Sequence, residues 1–242
     1  MEYTKSKKEI KDDKFIKKYN MNSIGVNGEL TMIDIKHPNL MKSIEYIVNS
    51  PYIEFHYKYY NKSCWIDLID IYNNNNPLKS LIKELYDNKK TISLQLINVV
   101  NFLHNQNIVH RDIKLDNILY NSEKEKIILC DFEYCKKITE YTNKIKKNEI
   151  IVGTPLYFAP EMSNKSLNFE IDYKKIDIWN IGITIYILFF NTFPDYKKIF
   201  WNNDENIKLY DNKVKELFIS TLNIYPEQRK SLNHILKLDY FK

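Results

Sequence analysis

Four polar side chains crowd two short stretches of this chain. Asp112, Lys114 and Asn117 fall within His110-Arg111-Asp112-Ile113-Lys114-Leu115-Asp116-Asn117, and Asp131 falls within Ile128-Leu129-Cys130-Asp131-Phe132. The first stretch follows a helical pattern and precedes a short strand, Ile118 to Tyr120. The four side chains are therefore expected on two neighbouring loops facing one cleft. A carboxylate beside a lysine suits acceptance of a proton from a hydroxyl next to a developing negative charge. Asparagine and aspartate oxygens together suit a hard cation such as Mg²⁺, which takes its remaining ligands from water and substrate phosphates.

Composition bounds what those residues can belong to. A chain of 242 residues, 44% hydrophobic and 28% charged, is globular, with room for one large domain or two small lobes around a cleft. Cys64, Cys130 and Cys135 show no paired spacing, which points to a reducing intracellular compartment. The first 20 residues are charged and exclude an ordinary signal peptide. The longest apolar run, Ile181 to Phe190, falls short of the about 20 residues that span a bilayer. The net charge of +5 is scattered among acids rather than clustered. No nucleic acid and no membrane is expected as partner, and a soluble cytoplasmic monomer is the expectation. The chain holds 29 Asn but one Ala, two Arg and four Gly, as an AT-rich coding sequence would give; such sequences occur in some parasites and large DNA viruses, and a viral source would place the protein in host cytoplasm. Where a residue type is this rare, its few positions point to a specific geometry or charge.

The elements that must position the four residues follow from periodicity. Residues 1–13 are charged and aperiodic, and read as a mobile tail. Residues 14–19 and 65–72 read as strands, and Gly28 to Ile35 as a short helix stopped by His37-Pro38-Asn39. Asn73 to Pro77 reads as a connector, giving a front lobe over about 14–72, a hinge over about 73–77 and a back lobe over about 78–242. Leu78 to Leu85 and Thr91 to Asn105 show helical spacing, the latter with Leu94, Ile97, Val100 and Leu103 on one stripe. Ile176 to Phe190 is apolar nearly all round, as a helix buried inside a domain would be. Val214 to Leu222 and Ser231 to Leu238 read as later amphipathic helices. The fold class expected is α+β.

The string HRDIKLDN followed by CDF resembles the catalytic loop and metal-binding segment of eukaryotic-type protein kinases. Gly153-Thr154-Pro155-Leu156-Tyr157-Phe158-Ala159-Pro160-Glu161 is similar to the end of that family's activation segment. Asp177-Ile178-Trp179-Asn180-Ile181-Gly182 resembles the start of its central helix, and Tyr225-Pro226-Glu227-Gln228-Arg229 its late arginine motif. Both arginines, the single alanine and two of the four glycines fall on these motifs, whose ordered match runs over about residues 14–241. The resemblance implies a two-lobed α+β fold with a reduced sheet-containing front lobe and a larger helical back lobe. It implies a Ser/Thr kinase that uses ATP and Mg²⁺ on protein hydroxyls. Asp112 would be the base and Lys114 the charge stabiliser; Asn117 and Asp131 would hold Mg²⁺. Lys17 and Glu29 would serve the nucleotide phosphates, with Lys18 as the alternative register. Arg111 would be available to a phosphorylated segment, with Thr139, Tyr141 and Thr142 as candidates. Asp177 would be structural, and Glu161 and Arg229 would form a buried fork.

Departures concentrate at the nucleotide roof. No glycine precedes residue 25, so no Gly-rich loop is visible and the first two strands are missing or extremely degenerate; Phe15 stands where the family has a small residue, and Glu133 follows Asp131-Phe132 where the family has glycine. Glu29 lies one residue nearer His37 than the pattern expects, and Tyr225 replaces an Asp. Two readings follow, an active minimal kinase and a kinase-fold binding protein without turnover.

Overall fold

The structure, a computed structural model, describes residues 6–72, 79–139, 143, 151–163, 172–195, 199 and 204–242. Its front is an antiparallel sheet of β1 (Lys7–Lys11), β2 (Lys14–Asn20), β3 (Ser43–Asn49) and β4 (Tyr52–Lys58), in the order β1-β2-β4-β3. Residues 7–11, expected in a mobile tail, are thus a strand. Only Ile10 is apolar there, so alternation gives no signal. The hairpin is instead set by Asp12 and Asp13, both left-handed at φ 50° and 56°, between the paired Lys11 and Lys14. That is the backbone of a two-residue hairpin turn whose twist matches the strands, and aspartate tolerates it.

The period of two puts Phe15, Lys17 and Tyr19 of β2 on one face. Their cross-strand neighbours Ile10 and Lys8 on β1, and Tyr57, Phe55 and Ile53 on β4, share it. The opposite face carries Lys18, Glu54, His56 and Glu45, with Lys18 2.8 Å from Glu54. β3 and β4, joined at Ser50-Pro51, were not expected; their alternating residues are interrupted by Glu and His on the solvent face.

Helix α1 (Gly25–Met32) follows β2 and packs on the face of the sheet that carries Lys17, Tyr19 and Tyr57, starting three residues before the expected Gly28. After it, the His37–Met41 segment runs along the back lobe. Asn39 Nδ2 donates to the Ile127 carbonyl at 2.9 Å, and Leu129 N donates to the Asn39 carbonyl at 2.8 Å while Met41 N donates to the Leu129 carbonyl at 2.9 Å, which puts Leu40 in a parallel bridge with Leu129. The strand leading to Asp131 is thereby fastened to the front lobe.

The 65–72 stretch is not one strand. Ile66–Asp67 (β5) pairs with Ile118–Asn121 (β7), and Leu68–Tyr72 is helix α2, with Asp70 in its first turn where the helix dipole favours an acid. These residues therefore sit with the back lobe's sheet, β5-β7-β8 with β8 at Lys126–Leu129, and the chain leaves the front sheet at Lys58. The connector expected over 73–77 lies outside the described residues. The two helices expected over 78–105 are one, α3 (Lys79–Asn105), because the polar stretch Asp87 to Lys90 contains neither Gly nor Pro to break it. Ile108–Val109 (β6) pairs with Lys136–Lys137 (β9).

A short helix, α4 (Pro160–Ser163), precedes α5 (Tyr173–Phe190), which is capped by Asp172 and ends at left-handed Asn191. All but its edges are buried, and it packs on α3 at the middle of the back lobe. Among the described residues the later helices include α6 (Glu205–Lys208), α7 (Asn212–Thr221) and α8 (Leu232–Ile235), the last half the expected length. This is an α+β, two-lobed architecture, and between the lobes lies a cavity of about 530 Å³.

Candidate active site

Short backbone elements hold the loop that carries Asp112. β6 leads into it, and one turn of 3₁₀ helix, Leu115–Asn117, passes it on to β7. Between them the buried Asp177 carboxylate of α5 accepts from His110 N at 2.9 Å, from Arg111 N at 2.8 Å and from the His104 ring at 2.8 Å. Burial opposes ionisation of Asp177, yet the His104 hydrogen bond and the other donors hold its carboxyl below the usual range. Those bonds secure Arg111 at φ 70°, a strained value for a residue with a side chain.

Asp112 faces three donors. Thr154 Oγ1 donates to Oδ1 at 2.7 Å; Lys114 Nζ lies 3.1 Å from Oδ2, and Asn117 Nδ2 3.2 Å from the same oxygen. Lys114 also donates to Thr154 Oγ1 at 2.6 Å, closing the triangle. Thr154 reaches this position because Gly153 precedes it at φ 111°. A Cβ there would sit 2.7 Å from the Arg111 carbonyl. Asn117 Nδ2 donates as well to the Asp112 carbonyl at 2.8 Å, so its amide is oriented, and among the described residues no donor meets its Oδ1.

Asp131 follows β8 in a left-handed conformation, φ 65°. Its Oδ1 is 2.7 Å from Lys17 Nζ and its Oδ2 is 3.2 Å from Lys8 Nζ. Burial disfavours the ionised form, but Lys17 and then Lys8 hold the carboxyl well below the usual range. Lys17 is buried, and burial alone would lower its ammonium. Glu29 at 2.8 Å, and then Asp131, reverse the sign and hold it well above the ordinary value. Lys18, the alternative register, lies on the other face with Glu54. Beside Asp131, burial and then the Asp131 charge raise the Glu133 carboxyl.

Glu29 has partners that sequence reasoning missed. Tyr19 OH donates to Oε1 at 2.8 Å and Tyr57 OH donates to Oε2, so three side chains converge on a fully buried carboxylate. Tyr19 could have been found, since it lies two residues beyond Lys17 on the same face. Tyr57 sits on an unread strand. Phe132 packs inward against Tyr57 and His110, with ring centroids at 6.2 and 6.1 Å.

The cavity exposes both sets of groups. Lys8, Lys17, Lys114, Asn117 and Asp131 are among its lining residues, together with the apolar Phe15, Met41 and Leu119 and with Cys130, whose Sγ donates to the Asn117 carbonyl at 3.2 Å and whose thiol burial pushes up to about 12. Arg111, half-buried, is already engaged in part. Its Nε donates to the Tyr134 carbonyl at 2.6 Å, and its guanidinium lies over the Tyr173 ring at 5.4 Å. Thr139 is exposed, whereas Tyr141 and Thr142 lie outside the described residues. Glu161 and Arg229 form a bidentate pair at 2.7 and 2.7 Å, fully buried.

A family model described as the protein kinase domain matches residues 3–241. A serine/threonine-protein kinase of Acanthamoeba polyphaga mimivirus is 30% identical over 220 residues, 86% of this chain and 76% of its own length. One from Dictyostelium discoideum is 35% identical over 157 residues, 61% of this chain, and one from Saccharomyces cerevisiae is 27% identical over 227 residues, 89% of this chain. The chain spans 15% of the length of the Dictyostelium relative and 33% of the yeast one. By its fold, the matched family model and these relatives, the chain belongs to the protein kinase domain family.

Proposed function

We propose that the chain is an active Ser/Thr kinase that transfers the γ-phosphoryl group of ATP to hydroxyls on protein. The observation that carries this reading is the closed Asp112–Thr154–Lys114 triangle, whose Lys114 lines one cavity with Asn117 and an ionised Asp131. The residues fit the implied ligands. The apolar lining residues Phe15, Met41 and Leu119 suit a flat apolar base, and the unmet Asn117 Oδ1 with the Asp131 carboxylate suits Mg²⁺. When bound, ATP would supply the phosphoryl group and Mg²⁺ would offset charge on its oxygens.

The chain's own side chains do the rest by position. Asp112, oriented by Thr154 and Asn117, has a carboxylate able to take a hydrogen bond from an incoming hydroxyl and then its proton. Lys114 places a positive charge next to that carboxylate, where negative charge develops on the transferred group. Lys17, fixed by Glu29, would turn from Asp131 toward phosphate oxygens without leaving its buried seat. Tyr19 and Tyr57 keep Glu29 from rotating away from Lys17.

A second reading, a partner-binding kinase fold without turnover, draws on Asp131 having both oxygens taken by lysines and on Glu133 beside it. One experiment separates them: transfer of labelled phosphate to a generic Ser/Thr substrate at high ATP, by wild type and by Asp112→Asn. The expected outcome is a loss of at least about a hundredfold in turnover for Asp112→Asn, with ATP binding retained. Equal signal from both proteins, or none from folded wild type, favours the second reading.

A further inference from the structure

We infer that Lys8, on the edge strand beside the cleft, is a second phosphate-binding lysine next to Lys17. The inference rests on the nucleotide-binding reading above and adds a residue to it. Lys8 lies directly across from Lys17 on the neighbouring strand, so both side chains leave the sheet on its cleft face. Of the three lysines in β1, Lys8 alone lines the cavity; Lys7 and Lys11 fall on the other face.

The two cavity lysines are held very differently. Lys17 has a side chain 2% exposed and is bound to Glu29 as well as Asp131. Lys8 is 48% exposed, and among the described residues Asp131 is its one carboxylate partner. Its ammonium ends a flexible four-carbon stem, so it can change partners without moving the strand. All five residues of β1 are paired with β2, so this edge is a regular strand rather than a loop of backbone donors. Phosphates arriving there meet a side-chain charge in place of amide groups. If Asp131 turns an oxygen to a cation, Lys8 loses the one carboxylate within ion-pair distance among the described residues and is left to face the incoming anion, with the Asp67 and Glu133 charges acting only from farther off.

The test measures binding to the full chain, with Mg²⁺, of ATP, ADP and adenosine by titration calorimetry. Lys8→Ala is expected to weaken ATP and ADP about tenfold or more, with adenosine unchanged. Lys8→Arg is expected to keep most of the affinity, and thermal unfolding without nucleotide should not shift, since the residue sits on an exposed edge. Unchanged or tighter ATP binding by Lys8→Ala would show that Lys8 only occupies Asp131, and would overturn the inference while leaving the kinase reading standing. An equal loss for all three ligands would overturn it too, as the mark of a structural role. Wild type that binds none of them removes the nucleotide-binding reading, and this inference with it.

Discussion

Asp177 takes no place in the cleft wall, yet its carboxylate holds the backbone that carries Asp112. Its folded pKa lies below the unfolded value of about 3.9. The stability it contributes is therefore fully present above that pH and is lost as pH falls through the lower folded value. Asp177→Asn should cost about 3 kcal/mol near neutrality, and the penalty should shrink below about pH 4. Denaturant unfolding of both proteins across that range checks it; a penalty independent of pH would mean that Asp177 titrates alike in the folded and unfolded chain. Residues of this kind were legible where type and spacing combine in one short stretch, as in Asp112, Lys114 and Asn117. The choice between Lys17 and Lys18 was not legible. Adjacent strand residues differ only in face, and which face meets the cleft depends on strands β1 and β4, whose charged and aromatic residues hid their period.

At the scale of elements, α1 answers for Glu133. The family's glycine after Asp-Phe is replaced, and the room appears on the opposing helix, where two of the four glycines sit. A Cβ on Gly28 would lie 2.3 and 2.4 Å from the carbonyl oxygens of Phe132 and Glu133. One on Gly25 would meet side chains, Tyr19 Cε1 at 2.6 Å and Glu133 Cγ at 2.7 Å. Alanine is the better helix former by about 1 kcal/mol, so a loss on substitution reports the clash. Gly28→Ala is expected to destabilise by about 2 kcal/mol net. Pairing each variant with Glu133→Gly in a double-mutant cycle should recover part of the Gly25→Ala loss and none of the Gly28→Ala loss. The same recovery for both would show that the helix simply slides. Helices were read from the sequence more readily than strands: α5 was legible from its continuous apolar run, while β3, exposed along most of its length, offers little contrast between its faces.

Across the whole molecule, one buried fork ties segments far apart in sequence. Arg229 reaches Glu161 with both terminal nitrogens, gives Nε to the Asn223 carbonyl at 2.8 Å and lies over the Trp179 ring at 4.9 Å. Arg229→Ala would strand a buried carboxylate and is expected to cost about 3–5 kcal/mol. Arg229→Lys should also lower the melting temperature, because a point charge cannot repeat the fork. Unchanged melting of both variants would place the pair in solvent. This tie was legible because arginine is so scarce here. The reach of the front lobe was not, since a charged edge strand and a solvated tail have the same composition. That edge has a consequence for motion. β1 is five exposed residues hydrogen-bonded along one side to β2, and short edges of this sort open locally at a small fraction of the cost of global unfolding. Each opening draws Lys8 off Asp131 and leaves that carboxylate to Lys17, so the charge at the mouth of the cleft fluctuates with the fraying of one strand, with no movement of the lobes.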